Sequence, residues 1–180
     1  MELPLLTPRL ALRAFTPADV PAAHAIYSDP EVMRHVGAGP VASLAETASM
    51  LRSYADHQAL HGFSFWALLE RASGALIGDA GLYRAGSEVE LGYTLGRAWW
   101  GRGYATEAAA ACLDAAFGPL GLDDVIALVE PANVASIRVL EKLGLRRAGE
   151  RQAFGRPHLL YRVRRADRAG DATPAEPAGA

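Results

Sequence analysis

Between Leu95 and Ala108 the chain reads Leu-Gly-Arg-Ala-Trp-Trp-Gly-Arg-Gly-Tyr-Ala-Thr-Glu-Ala, a strand-like end that passes through glycines into an alanine-rich helix. No other stretch constrains the fold as strongly. Amides in the first turn of a helix have no partner within the helix and carry partial positive charge. Glycines in front of that turn let an anion such as a diphosphate reach them. Two well-known nucleotide loops are excluded. A P-loop ends in Gly-Lys-Ser/Thr, whereas this one ends Gly103-Tyr104-Ala105-Thr106 and the chain's one lysine is Lys142. A dinucleotide fingerprint needs a third glycine where Thr106 stands, in an early βαβ unit. From the loop alone, a plain structural turn stays open.

At 180 residues the chain is long enough for one domain with a real core and too short for two. A net charge of −2 argues against a general nucleic-acid binder, although eight arginines from Arg146 to Arg168 form a local basic patch. Cys112 stands alone in the alanine-rich helix, so no disulfide framework exists and a reducing compartment, the cytoplasm, is expected. On an apolar helix face it reads as core rather than nucleophile. No stretch reaches the roughly 18 apolar residues of a membrane helix, and no leader pattern opens the chain.

Residues 10–15 alternate as a first strand, and Thr16-Pro17-Ala18-Asp19 starts a helix that should end near Tyr27, with Asp29-Pro30 as a break. Ser43-Leu44-Ala45-Glu46 is a capping box opening a helix over 43–59, closed by Gly62. Residues 63–69 and 76–83 flank Ser73-Gly74 and predict a hairpin, with 88–95 as a third strand. A helix over 104–117, a buried strand over 125–129 and a helix over 133–143 stopped by Gly144 follow. Strands over 145–152 and 158–164 finish the fold. Residues 166–180 lack apolar periodicity and are expected to be disordered. Antiparallel neighbours that then exchange with helices predict an α/β (α+β) chain, a mixed sheet covered by helices on both faces.

The loop and its helix, together with Asn133-Val134-Ala135-Ser136-Ile137-Arg138-Val139-Leu140-Glu141-Lys142-Leu143-Gly144, resemble the GCN5-related N-acetyltransferase (GNAT) family. Thr7-Pro8-Arg9-Leu10, Ser28-Asp29-Pro30-Glu31-Val32-Met33, Ile77-Gly78 and Glu90-Leu91-Gly92-Tyr93 fall in the order of its branch that acetylates the N-termini of ribosomal proteins. The resemblance implies one acetyltransferase domain over residues 6–165, with a mostly antiparallel sheet splayed at the cofactor site. It also implies acetyl-CoA as co-substrate. The pantetheine arm would bond free backbone groups near Tyr93 and Leu95, and the diphosphate would sit on the amides of Arg102, Gly103, Tyr104, Ala105 and Thr106, with the Arg102 side chain adding charge. Trp100 stands where the wider family has Arg or Gln, and is typical of the ribosomal branch. Asn133 would contact cofactor, cap its helix, or both. Glu107 complements the helix dipole and is given no catalytic role.

Acetyl transfer to an amine needs a neutral amine, a polarised thioester carbonyl and a proton for the departing sulfur. Leu140, standing where the family often has a tyrosine acid, cannot donate one. Ser136, one turn after Asn133 on the same helix face, is the candidate acid. Glu90 is the candidate base, working through water. Alternation puts Glu88 and Glu90 on one strand face, so a solvated face explains both equally. A backbone N–H near Leu95 would stabilise the oxyanion. An N-terminal α-amine, with pKa about 7.7–8.0 against about 10.4 for lysine, suits a weak base. The branch resemblance accordingly implies a protein N-terminus as acceptor; the alternative is a small amine such as an antibiotic or polyamine, in a pocket lined by Val32, Met33, His35 and residues 37–43. A non-catalytic acyl-CoA sensor is the non-enzymatic alternative. His57 and His61 are four apart, but Gln58 stands where a zinc protease has its glutamate and no third ligand follows, so no metal is expected. Monomer and homodimer fit equally.

Overall fold

The structure, a computed structural model, describes residues 2–169. Residues 170–180, most of the segment expected to be disordered, lie outside the described residues. The strands are β1 (Leu5–Leu6), β2 (Leu10–Arg13), β3 (Phe65–Glu70), β4 (Leu76–Ala85), β5 (Glu88–Leu95), β6 (Asp124–Val129), β7 (Arg146–Ala153) and β8 (Arg156–Arg164). The helices are α1 (Val20–Tyr27), α2 (Pro30–Met33), α3 (Leu44–His61), α4 (Tyr104–Phe117), α5 (Val134–Lys142) and α6 (Arg165–Ala169).

All strands join one sheet in the order β1-β2-β3-β4-β5-β6-β8-β7. Every neighbouring pair is antiparallel except β5 and β6, which run parallel and share the single registered pair Glu90 and Ile126. Past that pair the strands part, β5 continuing to Leu95 and β6 to Val129. The splay implied by the family resemblance is therefore present, and it sits at the carboxyl ends of both strands.

Helices cover both faces, as expected. Ala108, Ala109, Cys112 and Leu113 of α4 are buried against Leu82, Leu91 and Val125 of the sheet; the small side chains let the helix lie close. Burial pushes the Cys112 thiol far up, so this cysteine is core, as its helix position predicts. On the opposite face Ala23, Ile26 and Tyr27 of α1, Met33 of α2 and Leu51 of α3 form a second cluster. No described helix is long and apolar enough to cross a membrane.

The caps match their sequence signals. Ser43 accepts from the Glu46 amide at 3.2 Å, and Gly62 closes α3 with φ of 79°. The Glu46 carboxylate reaches the Ala42 amide instead of completing the box on Ser43. Three elements escaped the sequence. Strand β1 is too short to show a period. Helix α2 begins at the proline expected only to break α1: Asp29 is extended before it and caps it by accepting from the Glu31 amide at 2.9 Å. A proline that ends one helix is well placed in the first turn of the next. The first residues of the expected disordered tail form α6, where Arg168 bonds Asp114 at 3.0 Å and lies over the Phe117 ring.

Candidate active site

Where β5 and β6 part, a cleft of about 630 Å³ opens. Its volume falls within the span of about 300–1,000 Å³ usual for small-molecule sites. One wall is the end of β5 with the glycine loop and the start of α4; the other is the β6–α5 junction and the first turns of α5; residues 31–36 close one side. Tyr93, Leu95, Trp100, Gly103, Tyr104, Ala105, Thr106, Asn133 and Ser136 all line it. Two expected site residues, Glu90 and Arg102, do not.

The loop is shaped by two left-handed glycines, Gly101 and Gly103, with φ of 73° and 79°. Gly103 is the N-cap of α4 and makes no side-chain cap, so the first amides of the helix face the cleft without a protein acceptor of that kind. The loop is tied down from outside the cleft. Glu107 accepts from the Thr7 hydroxyl at 2.6 Å, the Arg9 amide at 2.9 Å and Arg9 Nε at 2.6 Å, while Arg9 also donates to the Arg102 carbonyl at 2.8 Å. Burial pushes the Glu107 carboxyl up, but the bond from Thr7, followed by those from Arg9, outweighs it and holds the carboxyl below its usual range. Glu107 is thus an anchor, which is a fuller reason for an acid there than the dipole alone. The Arg102 guanidinium lies 5.2 Å over the Trp99 ring rather than in the cleft. The carbonyl of Leu95 is also less free than the sequence suggests, because the Trp100 indole donates to it at 2.7 Å. Trp100 acts as a strut between loop and strand.

Across the cleft, Asn133 caps α5 by accepting from the Ser136 amide at 3.1 Å, and Leu140 is buried core. The Ser136 hydroxyl lies 2.7 Å from the Tyr93 hydroxyl, which is itself 3.3 Å from the Ser136 carbonyl oxygen. Burial pushes the Tyr93 phenol up to about 12, with the bond to Ser136 pulling the other way. A backbone contact was expected of Tyr93; its side chain instead meets the candidate acid across the splay. Strand alternation alone does not reveal that, because the partner lies on another element.

The two glutamates that alternation left equivalent differ in the fold. Glu88 pairs with Arg151 at 2.6 Å and Arg162 at 3.1 Å, and these partners hold its carboxyl below the usual range. Glu90, opposite Tyr83 and itself one half of the single β5–β6 pair, is pushed up to about 7 by burial, against the pull of Arg151 and the Leu128 amide. Glu88 stays near solvent in its ion pairs, while Glu90 is largely buried.

His35, expected to line an acceptor pocket, sits on the cleft wall with its Nδ1 2.8 Å from Glu130 Oε2. The partners are 95 positions apart, so no local pattern announces them. The histidine pair of α3 has a different use. His57 Nδ1 donates to the Phe63 carbonyl at 2.8 Å and its Nε2 accepts from the Arg84 amide at 3.0 Å. Both nitrogens are committed to backbone, and no group of three possible metal ligands occurs among the described residues.

Comparison with known proteins agrees with this geometry. The Acetyltransferase (GNAT) domain matches residues 9–146. The chain is 30% identical over 162 residues to the uncharacterized protein YkkB of Bacillus subtilis, covering 87% of this chain and 93% of that one. It is similar to the crystal structure of an acetyltransferase from Agrobacterium tumefaciens, with 30% identity, a TM-score of 0.80, and 91% and 95% of the two chains covered. It also shares its fold with a RimL ribosomal L7/L12 α-N-protein acetyltransferase in complex with coenzyme A, at 17% identity and a TM-score of 0.77, covering 91% and 98% of the chains. A sheet parted at its one parallel junction, a left-handed glycine heading α4 and a domain match spanning most of the chain lead to one assignment: this protein belongs to the GNAT acetyltransferase family and is an acyltransferase.

Proposed function

We propose that this acetyltransferase moves the acetyl group of acetyl-CoA onto the N-terminal amine of a protein, by direct attack within the cleft. The observation that carries the reading is the juxtaposition, in one splayed junction, of the α4 amides headed by Gly103 and the Tyr93–Ser136 hydroxyl pair that bridges its two walls. The amides of residues 103–106 take the diphosphate, with Gly103 admitting the close approach, and the pantetheine arm runs between β5 and β6 toward Tyr93. Ser136, backed by Tyr93, supplies the proton to the departing thiolate. A backbone amide near Leu95 takes the oxyanion. Glu90, outside the lining, would need water to carry a proton to it.

The motif order seen from Thr7 to Gly144, Trp100 in the loop and the fold shared with a ribosomal-protein acetyltransferase support the N-terminal acceptor, and with it a cytoplasmic location. The experiment is acetyl-CoA-dependent release of free CoA with three probes: short peptides with free N-termini, N-terminally blocked peptides bearing lysine, and small amines including spermidine. Release confined to free N-termini is the expected result. Release with small amines alone overturns the acceptor and leaves the acetyl transfer standing.

A further inference from the structure

Resting on that acetyl-transfer reading, we infer that His35 is the catalytic base, with Glu130 and Arg156 as its positioning residues. Glu130 accepts from His35 Nδ1 at 2.8 Å, which fixes the tautomer that carries its proton on Nδ1 and leaves the Nε2 lone pair on the other edge of the ring. Nε2 has no hydrogen-bond partner among the described residues, and His35 lines the cleft with a quarter of its side chain exposed.

Arg156 holds this arrangement from behind. It donates to the carbonyls of Arg34 and Gly37, on either side of His35, at 3.0 and 2.7 Å, and its guanidinium lies 2.5 Å from Glu130 Oε1. One arginine from β8 thus grips both the loop that carries the imidazole and the carboxylate that orients it. A loop needing only a tether would be served by the carbonyl bonds alone; the carboxylate on Nδ1 is what a base requires.

The other cleft groups are poorly suited. Glu31 is held by Arg34 at 2.5 and 2.7 Å, and Arg138 cannot accept a proton at neutral pH. Tyr93 and Tyr104 both have phenols pushed up, so they keep their protons. The charged and titratable groups facing His35 are therefore Glu130 with Arg156 behind it, Glu31 and Arg34 at the end of α2, and Tyr93 and Arg138 across the cleft.

In the step, the lone pair of a neutral amine attacks the thioester carbonyl carbon and the C–N bond forms. His35 Nε2 takes the extra proton from nitrogen. The C–S bond then breaks, and the thiolate receives a proton from the Ser136–Tyr93 pair. The proton on His35 leaves to solvent, and solvent restores the one lost by the hydroxyls.

The test uses the full chain, with a short peptide bearing a free N-terminal alanine and with spermidine as acceptors. His35→Gln should lower kcat by about 100-fold or more while the CoA dissociation constant, measured by calorimetry, stays within about twofold. Added imidazole should partly restore the activity of His35→Ala. Glu130→Gln removes the carboxylate that holds the ring by Nδ1, so kcat should fall about tenfold or more while KM and the CoA dissociation constant stay within about twofold, a split that a purely structural tether would not cause. The inference is overturned if His35→Gln keeps wild-type turnover, if Glu90→Gln rather than His35→Gln abolishes turnover, or if CoA affinity falls with activity and imidazole rescues nothing. A wild-type chain that binds no CoA overturns instead the cofactor reading beneath it, and one that binds CoA but acetylates neither probe removes the reaction itself.

Discussion

Ser136 and Asp79 are polar groups near opposite sides of β5, and their surroundings give them different tasks. Ser136 touches a phenol in an open cleft, so Ser136→Ala should slow the single-turnover rate by about 10–100-fold with CoA affinity unchanged. An unaltered rate would deny it the proton. Asp79 is fully buried, receives a hydrogen bond from the Tyr27 hydroxyl, and is pushed by burial up to about 7. A carboxyl whose folded pKa lies above its unfolded value holds more protons folded than unfolded between the two. Stability therefore falls as pH rises from about 4 to about 7, and the penalty, a few kcal/mol, stands in full above that. Asp79→Asn should flatten that slope in thermal melts across the same window; an equally steep slope would assign it elsewhere, Glu90 being the next candidate. At this scale the sequence was half legible. Asn133 and Gly103 announced themselves through a helix cap and glycine punctuation, which are local; Ser136 was singled out only by its spacing from Asn133 beside the family resemblance. Tyr93 with Ser136, and His35 with Glu130, are pairs made by the tertiary fold, and neither residue alone carries the signal.

At the scale of elements, what was legible is what short-range physics decides. The Asn133 cap, Gly62, the β3–β4 hairpin and the α4 boundary all follow from a few neighbouring residues. Helix α2 was missed because Pro30 both ends one element and begins the next, and only the position of Asp29 resolves the two. The splay itself has no sequence signature beyond the family resemblance. Gly103 is where element and site meet. Added to it, a Cβ meets only the end of Arg9 at 3.5 Å, so space is not the obstacle; the left-handed φ of 79° is. Gly103→Ala should cost about 1–2 kcal/mol of stability by denaturant melt and weaken CoA binding in calorimetry by tenfold or more. Full retention of CoA affinity would place the diphosphate elsewhere.

For the whole molecule, the sheet is two antiparallel ribbons, β1 to β5 and β6 with β8 and β7, joined in register at one parallel pair. A ligand lying in that junction touches both ribbons and binds the folded state alone. CoA at 100 times its dissociation constant should therefore add about 2.7 kcal/mol, read as a rise in melting temperature; no rise at saturation would mean that it binds elsewhere. The same junction makes the chain divisible. The connection from Gly118 to Asp123 follows α4 and precedes β6, so a cut at Gly121 separates the two ribbons without severing either. Co-expressed, the halves should form a split enzyme whose reassembly rises with CoA concentration, because the metabolite would supply the contacts that covalent continuity supplied before.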